Sequence, residues 1–132
     1  MSVNGTDNRK QIESLLDELN SQYETLEKLY SLLQIINYNL DKKILNFLQP
    51  LNMAKATLLE ELHAHKKRLD TWIQQGIQGQ DIDHQRIERE VQKIKSLAEQ
   101  IEQMEEENLA KMRLISSQDF LKHQKRGALY AY

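Results

Sequence analysis

Cysteine is absent from the 132 residues, which excludes disulfides, thiol nucleophiles and cysteine-based zinc sites. Proline occurs once and glycine four times, too few for the turns that hairpins and sandwiches need. No apolar run approaches the ~20 residues of a membrane-spanning helix, so membrane insertion is not expected. The opening segment MSVNGTDNRK lacks an apolar stretch of the signal-peptide kind, and a cytoplasmic location is expected. Formal net charge is −2, against the basic surface that nucleic-acid binding requires, so no nucleic-acid partner is expected. The length fits one domain.

Charged residues, at 29%, are spread along long stretches free of helix breakers. Within them Leu16, Leu19, Tyr23, Leu26, Tyr30, Leu33, Asn37, Leu40, Ile44, Phe47, Leu51 and Ala54 recur at alternating spacings of three and four. That is the period of helical faces meeting along a seam, and a strand would need a period of two. All but Asn37 are apolar. The pattern predicts an all-α, elongated, antiparallel three-helix bundle of coiled-coil character.

Residues 1–7 read as a loose tail, 8–126 as the bundle and 127–132 as a C-terminal tail. Helix one runs from about residue 8 to Ile36, with Thr6, Asp7 or Asn8 as its cap. Asn37-Tyr38-Asn39-Leu40-Asp41 gathers turn-forming residues and marks the first reversal. A break at Pro50 is the alternative: with the turn at Asn37, Pro50 kinks helix two, and if helix one continues, Pro50 starts helix two. Helix two carries Leu51, Leu58, Leu62, Leu69 and Ile73 and stops before the glycine-containing break GIQGQD, residues 76–81. Helix three, the longest, extends from near Ile82 to Gly127, about 65–70 Å at ~1.5 Å per residue. Helices one and two are each shorter, so part of helix three lacks a neighbour.

The apolar stripe of helix three changes along its length. Ile87, Val91, Ile94, Leu97, Ile101 and Met104 fall within an arc of roughly 140°. Leu109, Met112, Leu114, Ile115, Phe120 and Leu121 are spread right round the helix, and a helix apolar all round must be covered all round. Charge shifts too: Glu99, Glu102, Glu105, Glu106 and Glu107 give way to Lys111, Arg113, Lys122, Lys125 and Arg126 against Asp119 alone.

Catalytic and metal-binding patterns are thin. Glu60-x-x-His63 has the ligand spacing of di-iron bundles, but such a site needs the motif twice, and only Asp81-x-x-His84 accompanies it. His63 and His65 diverge by about 200° on a helix and cannot share an ion. His63-Ala64-His65-Lys66-Lys67-Arg68 reads as a solvated helix face. No enzyme activity, metal or cofactor is expected.

Lys55-Ala56-Thr57-Leu58-Leu59-Glu60-Glu61-Leu62 resembles the K-x-x-L-L-x-x-L second helix of the flagellar export chaperones of the FlgN and FliT type. Met104-Glu105-Glu106-Glu107-Asn108 and the ending Lys125-Arg126-Gly127-Ala128-Leu129-Tyr130-Ala131-Tyr132 are similar to the acidic turn and the basic, Gly, small-apolar, Tyr tail of that family. The resemblance implies a cytoplasmic chaperone that holds hook–filament junction or filament cap proteins before type III secretion. Its partners would be flagellar export substrates and the export apparatus. Partner-binding residues are expected at Asn108, Met112, Ile115, Phe120, Leu121, Lys125, Arg126, Leu129, Tyr130 and Tyr132. A structural coiled-coil tether or self-associating scaffold is the alternative; whether the chain forms a homodimer, and whether its tail folds back, stay open.

Overall fold

The computed structural model describes the backbone of residues 2–74 and 81–130, and the side chains of 9–72, 74 and 83–117. Three helices follow in order: α1 (Ser2–Asp41), α2 (Leu48–Gln74) and α3 (Asp81–Tyr130). The described residues contain no strand. The chain is a three-helix bundle whose third helix is the longest.

Helix α1 is the axis. It packs against both α2 and α3, whereas the described backbones of α2 and α3 do not approach each other. Arg86 of α3 pairs with Glu13, and Lys111 pairs with Asp41, so α3 runs parallel to α1. Arg68 reaches back to Glu18 while Ala54 and Leu58 lie beside Ile35, so α2 runs antiparallel to both. The core joins Leu26, Leu29, Leu33, Ile36 and Leu40 of α1 to Leu62 of α2 and to Leu97 and Ile101 of α3. Each leucine fully removed from water contributes about 1.5–3 kcal/mol.

The seam read from the sequence is buried at Leu16, Leu19, Leu26, Leu33 and Leu40, and half-buried at Tyr23, Tyr30 and Asn37. Past Leu40 it is broken: Ile44, Phe47 and Ala54 are exposed, while Leu51 is half-buried and packs against the core. The reason is the position of the first reversal. Helix α1 does not end near Ile36 but continues through Asn37 and Asn39 to Asp41. Both asparagines are engaged by other partners: Asn39 Nδ2 donates to the Ile35 carbonyl at 2.8 Å and Asn37 Nδ2 to Asn108 Oδ1 at 2.9 Å. The helix stops at Lys43, which has φ 57°. The Ile44 amide bonds the Asn39 carbonyl (2.8 Å) and the Lys43 amide the Leu40 carbonyl (3.1 Å), the paired bonds of a Schellman cap. Pro50 does not kink a helix; with α1 continuing past Asn37, it stands at the start of α2, as the alternative reading has it. It sits in the first turn of α2, where the Leu51 amide makes the bond to the Phe47 carbonyl and a proline needs no N–H of its own.

At the ends, α1 begins at Ser2 and α3 continues to Tyr130, so the segments read as tails are helical over 2–7 and 127–130. Tyr132 and most of the GIQGQD break lie outside the described residues.

Candidate interaction surface

Two polar clusters fix how the helices sit on α1. Between α1 and α2, His65 is buried, with Nδ1 2.6 Å from Glu18 Oε1 and Nε2 3.3 Å from Thr25 Oγ1. The Thr25 hydroxyl donates to the Ser21 carbonyl, so it accepts from the Nε2–H. Arg68 Nε donates to the same Glu18 oxygen at 2.8 Å, and its Nη2 lies 2.9 Å from His65 Nδ1. Desolvation pushes the Glu18 carboxyl up, but the hydrogen bonds from His65 and Arg68, with their charges, hold it below its ordinary value. The stretch His63–Arg68 is therefore not wholly a solvated face: His63, Lys66 and Lys67 are exposed, while His65 and Arg68 clasp α1.

Between α1 and α3, Asn108 is only 2% exposed. Its Nδ2 donates to the Leu33 carbonyl at 3.1 Å and its Oδ1 accepts from Asn37. Lys111 Nζ donates to Asn37 Oδ1 and lies 2.6 Å from Asp41. The hydrogen bond to Asp41 raises the Lys111 ammonium above its ordinary value despite some desolvation, and the charges of Asp41 and Glu107 add to this. Asn108 is thus a structural residue of the bundle and offers a partner no surface, which corrects its expected role.

Met112 and Ile115 are half-buried and pack against the core. Phe120, Leu121, Lys125, Arg126, Leu129 and Tyr130 lie on the last turns of α3, with side chains outside the described residues, as is Tyr132 altogether. Since Lys111 is level with Asp41 at the end of α1, α3 continues about 19 residues, roughly 28 Å, past that level.

Around the base of this projection the surface is apolar. The α1–α2 turn exposes Ile44, Leu45 and Phe47; α1 exposes Tyr38, and α3 exposes Leu109 and Leu114, the last at 61%. Leu109 and Met112 line a small cleft, about 130 Å³, with Leu33, Ile36 and Asn52 of the other two helices. A second, wider apolar groove of about 700 Å³ runs between α1 and α2, past Leu32, Ile35, Ala54 and Leu58. By contrast, the α1–α3 groove near Tyr23 is lined by Glu88, Arg89, Gln92 and Lys93. The sequence reading missed the turn residues and the α1–α2 groove. Their signal was the seam running on past Leu40 into a segment that is not helix.

Among the described residues no group of three or more His, Cys, Asp or Glu is placed to hold a metal ion, and Glu60 and His63 are both exposed. No described helix is long and apolar enough to cross a membrane. Comparison of the chain with protein-family models, curated proteins and solved structures returns no match.

Proposed function

We propose that this chain is a non-catalytic chaperone of the flagellar type III export kind, acting in the cytoplasm. It would hold a helical segment of a hook–filament junction or filament cap protein and hand it to the export apparatus. One observation carries the reading: α3 projects beyond the α1–α2 turn, and its base is ringed by exposed Leu109, Leu114, Ile44, Leu45 and Phe47. An amphipathic helix laid on such a surface buries an apolar face against apolar side chains, the helix-in-groove mode of recognition. The sequence of the projection, with Lys122, Lys125 and Arg126 among apolar and aromatic residues, suits an anchor with a charged rim. The resemblance in the second helix and the C-terminal tail supplies the flagellar part.

The tether reading is less favoured, because the seam it would use for self-association is spent inside the chain, at Leu26, Leu33 and Leu40. A binding assay decides. The full chain should retain late flagellar export substrates, and Leu114→Glu should weaken that retention while leaving the melting curve in place. Removal of residues 122–132 should do the same. Retention unchanged by both variants, or absent for the full chain, would sink the proposal.

A further inference from the structure

Among the described residues α2 buries only Leu62 and His65, and its backbone packs on α1 alone. Helix α3, by contrast, buries Leu97, Ile101 and Asn108. A helix so thinly held depends on its polar contacts, and those at His65 conflict.

The Thr25 hydroxyl donates to the Ser21 carbonyl, so His65 Nε2 carries a hydrogen whatever the charge of the ring. Nδ1 is then the atom at which the ring gains or loses charge. It lies 2.6 Å from Glu18 Oε1, which as a carboxylate only accepts, and 2.9 Å from Arg68 Nη2, which only donates. One nitrogen cannot serve both. With a proton, Nδ1 donates to Glu18 and turns an N–H against the guanidinium. Without one, Nδ1 accepts from Arg68 and turns its lone pair against the carboxylate. Glu18 keeps the bond from Arg68 Nε, at 2.8 Å, in either arrangement.

The two arrangements differ in what they join. Glu18 belongs to α1 and Arg68 to α2, so the proton exchanges a bond within one helix for a bond between two. Among the described residues Glu18 and Arg68 are the charged groups bonded to the ring, and α3 contributes none. Water has access, since the Arg68 side chain beside the ring is 52% exposed.

We propose that His65 is a proton-operated latch between α1 and α2. It takes one proton from water at Nδ1 and pins α2 to Glu18. When it returns the proton it turns to Arg68, and α2 keeps only the Thr25, Arg68 and Leu62 contacts at this level. Histidine changes charge near neutral pH, so the latch works there. The bond to Glu18 stabilises α2 below that range and is lost as pH rises through it. Leu58, which lines the apolar α1–α2 groove, stands two turns from His65, so release loosens that wall of the groove. The inference does not rest on what the bundle binds.

Nitrogen NMR of the histidine rings, with amide hydrogen exchange, tests it on the full chain between about pH 5 and 8. Nε2 of His65 should stay protonated while Nδ1 loses its proton. Exchange over residues 58–72, corrected for its intrinsic pH dependence, should quicken over the same range relative to α1 and α3. Exposed His63 on the same helix is the internal control. Glu18→Gln should move the His65 titration to lower pH, and Arg68→Met to higher pH, each by about one pH unit, with His63 unmoved. Arg68→Met alters an exposed side chain, so it keeps the test open if Glu18→Gln unfolds. A ring that holds one charge state throughout, a titration indifferent to both neighbours, or α2 exchange that ignores the titration would each overturn the proposal.

Discussion

Replacing Asn108 by alanine removes a side chain that is almost wholly enclosed and holds α3 to α1 with two hydrogen bonds. A buried hydrogen bond between neutral groups contributes about 1 kcal/mol net, so the pair accounts for about 2 kcal/mol. The Leu33 carbonyl lies inside α1 and keeps its helical bond, and the Asn37 amide is half-exposed and can turn to water, so neither is fully stranded. The void left beside Leu33 adds to the loss, and a total of about 2–3 kcal/mol is expected. Urea denaturation followed by helical circular dichroism measures it as a lower midpoint with an unchanged slope. A double-mutant cycle with Asn37→Ala should return a coupling of about 1 kcal/mol. The contrast with a surface role is sharp: a solvated asparagine held ready for a partner would change stability by less than about 0.5 kcal/mol. A loss that small, or no coupling to Asn37, would refute the structural assignment of Asn108.

Lys43→Gly should stabilise the bundle by about 0.5–1 kcal/mol in the same urea assay, since lysine at φ 57° bears a left-handed cost of ~1–2 kcal/mol that glycine escapes, less the extra freedom glycine loses on folding. Gln22→Leu should also stabilise, by about 1 kcal/mol, because Gln22 Oε1 is buried without a hydrogen-bond partner among the described residues; a loss would mean that the amide is satisfied. Glu18→Gln should destabilise at neutral pH. The folded carboxyl titrates below its ordinary value of 4.5, so its stabilisation is fully present above that pH and is lost as pH falls through the lower folded value. The gap between wild type and Glu18→Gln in thermal melts should therefore narrow on acidification below 4.5; a gap constant down to the acid limit would show that Glu18 is not held by His65 and Arg68.

The helical class and the seam up to Leu40 were legible because one period dominates the chain and nothing competes with it. The width of the core was not. Leu15, Leu29 and Ile36 are buried, and so are the polar Gln22 and Thr25. A helix packed on two sides hides an arc that a single seam does not describe, and which helix lies in the middle is a property of the whole bundle. The first reversal was misread for a different reason. Asparagines favour turns when their amides have nothing better to bond, and here Asn37 finds Asn108 across the bundle. The true stop, Lys42-Lys43, carries no composition signal, since lysine enters the left-handed region only under the compulsion of the cap.

Asn108 itself was expected at the partner contact, as the end of the acidic turn in the family resemblance, yet its phase says otherwise. Leu97, Ile101, Met104, Asn108 and Ile115 share one side of α3, just as Leu33, Asn37 and Leu40 share one side of α1. Each seam thus holds one asparagine, and the two amides meet. A polar pair inside an apolar seam costs stability but selects a register. Sliding α3 by one heptad would bring Ile101 or Ile115 against Asn37 and leave Asn108 facing apolar side chains, with both amides deprived of their partner. The same slide would part Lys111 from Asp41. The registered alignment is therefore favoured over its neighbours by several interactions at once, and that alignment determines how far α3 extends beyond the α1–α2 turn. In this way a residue that touches no partner sets the length of the projecting helix on which the proposed partner contact depends.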